Sequence, residues 1–239
     1  MKIAITACIY NRPYEYGQVL NSYREVRGFS SVPYIPVFDK GYHHLCKIIM
    51  EERRYVKAAP IYNENNIGIN HNTWKAINAG FKDPSIDAII HAEDDLMWSS
   101  DTLEYFIWAL NEFKNDADVF TIGAHNANGR ENDVPRREHH LIYKLQKFTP
   151  WVWATWRDRY QDSIARCHPL ADPSGWDFTM NNVCRGDRVE VRPAYSRTKH
   201  IGVNGVHVKK NQDWVKAEAS EKRDWAGKDD PVGTFHCAQ

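Results

Sequence analysis

The chain has 239 residues, 42% of them hydrophobic, and its 31 Lys and Arg residues balance its 31 Asp and Glu residues. This length and apolar content support one large α/β domain with a full core and argue against a disordered chain. The neutral charge balance argues against a general polyanion-binding protein, although it leaves room for a local basic groove.

The cysteines and the apolar runs bear on the cellular compartment. The five cysteines include neither a C-x-x-C pair nor a zinc-ligand spacing, which favours reduced thiols. No apolar run reaches the roughly 18 residues of a membrane span, and the apolar N-terminus is too short for a signal peptide. We therefore expect a soluble cytoplasmic protein without a membrane span.

Strands and helices are predicted to alternate through the first half of the chain. Short β-prone apolar runs predict strands at residues 3–9, 34–38, 86–91 and 119–122. Helical apolar spacing predicts helices at residues 13–28, 43–53, 71–81 and 101–113, with Pro13 in the first turn of the first helix. This order predicts an α/β fold with a mostly parallel, doubly wound sheet flanked by helices.

Polar residues follow three of these predicted strands. Asn11-Arg12 follows the first strand, Asp39 follows the second, and Glu93-Asp94-Asp95 follows the third. Doubly wound sheets bind their ligands at the carboxyl ends of the strands. We therefore expect these side chains to meet at one edge of the sheet.

The second half of the chain has a different pattern. Residues 123–137 are predicted to be loop, and three tryptophans follow closely at Trp151, Trp153 and Trp156. A short strand is predicted at residues 189–191. Two interpretations of the tryptophan cluster stay open, because such residues either pack in a core or stack on the C–H faces of sugars.

The acidic triplet Glu93-Asp94-Asp95 is the strongest candidate for a chemical site. Three adjacent carboxylates repel one another unless a cation or solvent relieves the repulsion. One interpretation is a solvated turn that caps the following helix. The other is a site for Mg²⁺ or Mn²⁺, which prefer oxygen ligands and share them with substrate phosphates. Such an ion would neutralise the charge on a departing nucleoside diphosphate.

Three familiar motifs are absent from the sequence. It contains no G-x-x-x-x-G-K-[ST], no G-x-G-x-x-G after the first strand, and no G-x-S-x-G. These absences argue against a P-loop NTPase and against a dinucleotide-dependent oxidoreductase. A nucleotide site remains in which a metal, rather than a glycine-rich loop, holds the diphosphate.

Taken together, these residues resemble the N-acetylglucosaminyltransferase I family and the related protein O-mannose N-acetylglucosaminyltransferase. The similar stretches occur in the family's order, at residues 5–13, 93–106, 123–129, 148–153, 176–177 and 192–206. The acidic triplet and the stretch at residues 192–198 carry most of the resemblance. The family's enzymes are inverting GT-A glycosyltransferases that use a UDP-sugar and Mn²⁺. The resemblance therefore implies a single-domain GT-A fold, a nucleotide-sugar donor and a divalent metal, Mn²⁺ or Mg²⁺.

The resemblance implies a role for each acid of the triplet. Asp95 matches the direct metal ligand, and Asp94 and Glu93 match acids beside the ribose and the donor sugar. Some GT-A enzymes add a C-terminal histidine to the metal, although this family's pattern does not require one. His207 and His236 are the candidates for such a ligand.

Donor-binding residues outside the triplet also follow from the resemblance. Arg12 matches a basic residue that contacts the nucleotide, and Asp39 matches an acid that hydrogen-bonds the uracil. His71 lies near the position of a histidine that contacts the nucleoside, with the spacing off by one residue.

On the acceptor side, the resemblance assigns Asp177 as the catalytic base, because inversion needs one carboxylate to take the proton of the attacking hydroxyl. Alone, Trp176-Asp177 would indicate an ordinary helix start with the aspartate as its cap. Trp153 matches a tryptophan that borders the acceptor and the donor sugar.

The resemblance also predicts how the chain is organised. One GT-A domain is expected over residues 1–210, with a nucleotide-sugar-binding half at 1–122 and an acceptor and catalytic half at 123–210. The highly charged residues 211–239 are expected to form a loose tail or a surface helix.

We expect the chain to move a sugar from a nucleotide-sugar, most simply UDP-linked, to an acceptor hydroxyl. The acceptor could be a glycan, a protein, a lipid-linked glycan or, less favoured by the neutral charge, a hydroxylated base in DNA. One alternative is a non-catalytic nucleotide- or sugar-binding module on the same fold. Another is a glycoside hydrolase, which would need two carboxylates flanking one bond and fits the triplet poorly.

Overall fold

The computed structural model describes residues 1–41, 43–126 and 138–202 and the backbone of 236–237. The strands, in chain order, are β1 (Ile3–Ile9), β2 (Tyr34–Phe38), β3 (Ile61–Tyr62), β4 (Ala88–Glu93), β5 (Leu96–Trp98), β6 (Val119–Gly123), β7 (Leu141–Leu145), β8 (Trp153–Trp156), β9 (Val189–Pro193), β10 (Thr198–His200) and β11 (His236–Cys237). The helices are α1 (Pro13–Tyr23), α2 (His43–Glu51), α3 (Gly68–Gly80), α4 (Thr102–Glu112), α5 (Arg157–Asp162) and α6 (Trp176–Thr179).

A mixed sheet of nine described strands forms the centre of the molecule, in the order β11-β7-β9-β6-β8-β4-β1-β2-β3. The pairs β1–β2, β1–β4, β2–β3, β6–β9 and β7–β11 are parallel. The strand β8 is antiparallel to both of its neighbours, β4 and β6, and β7 is antiparallel to β9. The predicted α/β fold with a mostly parallel sheet is confirmed.

The core lies on both faces of the sheet. All seven residues of β1 are buried, as expected for a strand inside a parallel sheet, and alternate side chains point to opposite faces. Ile5 and Ile9 pack in a cluster with the buried sides of α1 and α4. Ala4 packs in a second cluster with α3. Helices on both faces therefore shield the central strands from water and hold their carboxyl ends in place.

Two short strands outside the large sheet position the residues around His200. The strand β10 pairs antiparallel with β5, and His200 lies opposite Leu96. Because β5 directly follows the acidic triplet, this pairing brings the residues around 200 back to the carboxyl end of β4.

The C-terminal residues are described only in part. Of the stretch 211–239, only His236–Cys237 falls within the described residues, where it forms β11 beside β7. The remaining residues predicted to be a tail or surface helix lie outside the described part, as does His207. Among the helices that the structure describes, none is both long and apolar enough to cross a membrane.

Candidate active site

The carboxyl ends of β1, β2 and β4 meet at one edge of the sheet. Cys8 is opposite Glu93 and Ile9 is opposite Phe38, so the polar residues that follow each strand begin side by side. The backbone N–H of Tyr10 donates to Asp94 Oδ2 over 3.1 Å. The convergence that the strand placement predicted is therefore present in the structure.

Arg12 lies between two acids of the triplet. Its Nη1 is 3.2 Å from Asp94 Oδ1 and also contacts Asp95 Oδ2, and all three side chains are largely buried. The guanidinium thus acts as an internal counter-ion for the two acids. A bound cation could neutralise them together with Arg12 or in its place.

The pKa values of the three carboxyl groups of the triplet are not all shifted in the same direction. Burial and the charge of Asp95 raise the pKa of Glu93 well above its usual value. Burial also raises the pKa of Asp94, to about 6, against the opposing effect of Arg12. Burial would raise the pKa of Asp95 as well, but a hydrogen bond from His200 and the charge of Arg12 bring it below its usual value. Asp95 is therefore the acid of the triplet whose ionised form its surroundings favour most.

Asp95 has the features of a cation ligand. Its Oδ2 contacts Arg12 and lies 3.3 Å from His200 Nε2, whereas its Oδ1 is buried without a hydrogen-bond partner. The backbone N–H of Ile201 donates to the Asp95 carbonyl over 2.9 Å. Gly202 packs so close that a Cβ there would clash with Asp95 Oδ2. An unpaired buried carboxylate oxygen is costly, and a cation would satisfy it.

Within the described residues, no group of three or more His, Cys, Asp or Glu side chains is arranged as metal ligands. A cation at Asp95 would therefore take most of its ligands from water and substrate. This arrangement suits Mg²⁺ and similar ions, which are usually bound through one or two carboxylates together with substrate phosphates.

Asp39 is committed to contacts within the chain. Its buried carboxylate accepts the backbone N–H groups of Ile67, over 2.9 Å, and Gly68, over 2.8 Å, and the side-chain amide of Asn63. These bonds hold the start of α3 against the end of β2, where a nearby negative charge is favourable for the helix. A role for Asp39 in binding a base stays a prediction, and its observed role is to fix α3.

The start of α3 connects the end of β2 to the helix that carries Asp177. Asn70 Oδ1 accepts the backbone N–H of Trp176, the first residue of α6, over 2.9 Å. The next residue, His71, is exposed, and its ring lies edge-on to that of His168 with 5.7 Å between the centroids. His71 therefore lies at the protein surface, beside His168.

Asp177 lies in the first turn of α6, half-buried. The helix cap is Gly175, so the simple interpretation of Asp177 as a cap does not apply. Gly175 has φ +143°, where glycine is favoured, and a Cβ there would lie 3.0 Å from Asp177 Oδ1. Burial raises the pKa of Asp177, and its charge contributes to the raised pKa of Glu93. Asp177 and the triplet therefore belong to one electrostatic environment.

The structure places Trp153 in the core. Its side chain is fully buried and packs against His91, Phe148 and Trp176. The prediction that Trp153 borders the acceptor does not fit this burial, because a buried ring presents no face to a sugar. Core packing, the other interpretation of this residue, describes it.

Sequence patterns did not identify the residues that hold Asp95 and the helix of Asp177 in place. His200 reaches Asp95 through the pairing of β10 with β5, and Asn70 reaches Trp176 across 106 positions. Neither residue was assigned a role from the sequence, although His200 lies within the stretch 192–206 that resembles the family. Residues 127–137, which include part of one stretch similar to the family, lie outside the described residues.

Comparison with a family model identifies the protein family of this chain. The model of the GNT-I family matches residues 59–216, more than half of the sequence. The chain belongs to the GNT-I family. The match includes the acidic triplet and Asp177, whereas Arg12 and Asp39 precede it.

Solved structures share the fold of this GNT-I family member. One is a mannosyltransferase, PcManGT from Pyrobaculum calidifontis, in complex with GDP-Man and Mn²⁺, with a TM-score of 0.51 and 14% identity over 67% of this chain and 46% of that chain. Another is S. aureus TarS 1–349, with a TM-score of 0.59 and 15% identity over 92% of this chain and 71% of that one.

A third similar structure is glucosyl-3-phosphoglycerate synthase from Mycobacterium tuberculosis in complex with Mn²⁺, UDP and glucosyl-3-phosphoglycerate. Its TM-score is 0.53, with 13% identity over 92% of this chain and 76% of that chain. The chain spans less than half the length of the mannosyltransferase. These likenesses confirm the predicted GT-A-type fold. The family that the model identifies is the one that the sequence resembles.

Proposed function

We propose that this chain transfers a sugar from a nucleotide-sugar to an acceptor hydroxyl, with inversion and with a divalent cation at Asp95. The observation that carries the proposal is the buried, unpaired Oδ1 of Asp95 at the carboxyl end of β4. It lies at the sheet edge where folds of this kind bind their ligands. The proposal is further supported by solved structures of the same fold, which hold UDP-GlcNAc in TarS and GDP-Man with Mn²⁺ in the mannosyltransferase.

The donor would lie across the ends of β1, β2 and β4. Arg12 would turn from the triplet to the diphosphate, since a guanidinium forms strong paired hydrogen bonds with phosphate oxygens. Asp39 and His71 would border the nucleoside, and Asp94 and Glu93 the ribose and the sugar. UDP fits the family to which the chain belongs, and UDP is therefore the nucleotide that we propose.

Mn²⁺ or Mg²⁺ at Asp95 would supply positive charge to the diphosphate as it leaves. The chain's own contribution is to keep Asp95 ionised and in place. His200 and Arg12 lower the pKa of Asp95, and the contact with Gly202 and the Ile201 hydrogen bond fix its position.

Asp177 would act as the base for the acceptor. An acceptor hydroxyl held against Asp177 would lose its proton to the carboxylate while its oxygen attacks the anomeric carbon. The bond from that carbon to the diphosphate oxygen breaks as the new one forms, so the configuration inverts. The half-buried position of Asp177 raises its pKa, which makes it a stronger base than an exposed aspartate. A glycan hydroxyl is the acceptor that we propose, with a hydroxylated DNA base as the less favoured class.

The test is the release of nucleoside diphosphate from a panel of nucleotide-sugars with Mn²⁺ present. We expect at least slow hydrolysis of one donor, and loss of metal-dependent donor binding in Asp95→Ala by calorimetry. Asp162→Ala, an exposed aspartate on α5, is the control. Binding that survives in Asp95→Ala would remove the metal assignment. A donor that binds but is never cleaved, with any acceptor, would favour the non-catalytic binding module.

A further inference from the structure

A histidine to which the family resemblance assigned no role lies against the proposed metal ligand. His200 Nε2 is 3.3 Å from Asp95 Oδ2, and the His200 side chain is only 10% exposed. Two ligands on neighbouring corners of an octahedral ion lie about 3 Å apart when each bond is about 2.1 Å. The spacing between these two atoms therefore suits a cation shared by them.

The position of His200 is set by the fold on several sides. The strand β10 pairs with β5 so that His200 lies opposite Leu96, one residue after Asp95. The ring of Trp151 stacks on the His200 ring, with 5.0 Å between centroids and 12° between planes. A side chain held this way loses little freedom on binding an ion, as a preorganised ligand requires.

A simple ion pair does not account for all of this arrangement. Asp95 Oδ2 already has a cationic partner in Arg12 in this structure, yet Oδ1 stays buried and without a hydrogen-bond partner. A carboxylate that needed only a counter-charge would not require a second nitrogen beside the same oxygen. A cation bound by the carboxylate and the imidazole would also relieve the unpaired Oδ1.

We propose that His200 Nε2 is a second protein ligand of the cation at Asp95, and that it makes the site prefer Mn²⁺ to Mg²⁺. The inference rests on the proposed function, because it deepens the same metal site. Mn²⁺ is a first-row transition-metal ion and accepts a nitrogen ligand among oxygen ligands, whereas Mg²⁺ is a harder ion that keeps an oxygen shell. The His200 ligand therefore raises the affinity for Mn²⁺ much more than the affinity for Mg²⁺.

The test is direct binding of Mn²⁺ and of Mg²⁺ to the full chain, alone and with UDP, by calorimetry. We expect His200→Ala to weaken Mn²⁺ binding at least about tenfold. Removing a residue that only hydrogen-bonds to a metal ligand already lowers metal affinity by about ten- to a hundredfold, and removing a ligand should cost no less. Mg²⁺ binding should change less, so the preference for Mn²⁺ falls. His44→Ala, an exposed histidine on α2, is the matched control and should bind as the unaltered chain does.

Two further measurements guard against loss of folding in the variant. His200→Asn keeps a side-chain donor for Asp95 but is a poor ligand, so it should melt as the unaltered chain does and lose Mn²⁺ affinity like His200→Ala. Pulsed electron paramagnetic resonance of Mn²⁺ bound to the unaltered chain should show coupling to an imidazole nitrogen. That coupling should vanish in His200→Asn.

The outcomes separate this inference from the function it rests on. Mn²⁺ binding that depends on Asp95 but is unchanged in both His200 variants, with no nitrogen coupling, would overturn the histidine ligand and leave the metal site intact. Mn²⁺ binding that survives Asp95→Ala would overturn the metal assignment itself, and the histidine ligand with it.

Discussion

Asn70 Oδ1 accepts the backbone N–H of Trp176 over 2.9 Å and so joins the first turn of α3 to the first turn of α6. The start of α3 is held by Asp39 on the nucleotide side, and α6 carries Asp177. One short chain of hydrogen bonds therefore sets the distance between the proposed donor site and the proposed base.

Replacing Asn70 should impair transfer without preventing donor binding. In Asn70→Ala the Trp176 N–H loses its acceptor and Asp177 can shift. A displacement of about 1 Å costs on the order of a hundredfold in rate. We expect kcat to fall by roughly tenfold to a hundredfold, with donor affinity by calorimetry kept within about twofold. Asn78→Ala, at the exposed end of the same helix, is the control, and equal effects of the two variants would argue against this positioning role.

Replacing Arg12 should have opposite effects on the metal and on the nucleotide. Arg12→Ala removes the internal cation from Asp94 and Asp95, so Mn²⁺ alone should bind at least as tightly as before. UDP affinity with Mn²⁺ should fall by roughly ten- to a hundredfold, because charged hydrogen bonds are worth about 1.5–3 kcal/mol. Calorimetry with Mn²⁺, then with UDP, measures both, and exposed Arg24→Ala is the control. Weaker binding of Mn²⁺ alone would contradict the counter-ion role.

The pH dependence of transfer should report Asp177. Burial raises the pKa of this carboxyl, and a base works only when it is ionised. The rate should therefore fall as the pH drops through the raised pKa, at a pH above the ordinary aspartate value of about 3.9. Asp177→Asn should abolish transfer while donor binding persists, and Asp162→Asn should keep both the rate and the pH profile. Transfer that survives in Asp177→Asn would place the base elsewhere.

Trp153 should matter for stability because it is fully buried among aromatic side chains. Trp153→Ala should lower the free energy of unfolding by about 3–5 kcal/mol, the usual cost of removing a buried aromatic ring. Trp153→Phe should cost less, and Tyr14→Ala, which alters a side chain 76% exposed, should stay within about 0.5 kcal/mol. Urea unfolding measures all three. A Trp153→Ala chain of unchanged stability would mean that the ring is not part of the core.

The parts of the fold that sequence patterns predicted are those specified locally. The first two strands have the bounds that were predicted, because their apolar runs end at turn-forming residues. The strand β8 escaped prediction because its closely spaced tryptophans also fit a helix or a loop. Its partners, β4 and β6, lie 30 or more positions earlier in the chain, so nothing local marks the pairing.

The candidate site divides in the same way. The acids at the strand ends were found because strand placement and chemistry both pointed to them. The use of Asp39 by the backbone of α3, and the approach of His200 to Asp95, depend on contacts between distant segments. A sequence pattern records residue types and their spacing over a short stretch, so it cannot predict contacts between distant segments.

The antiparallel strand β8 hydrogen-bonds on one side to β4, which ends in the acidic triplet, and on the other to β6. The parallel strands on either side of it are thereby joined into one continuous sheet. Donor and acceptor would consequently be brought into line when the chain folds rather than when they bind. Any closing motion around the substrates would then occur in segments at the edges of the sheet. The backbone of the sheet itself would set how the reacting atoms are aligned.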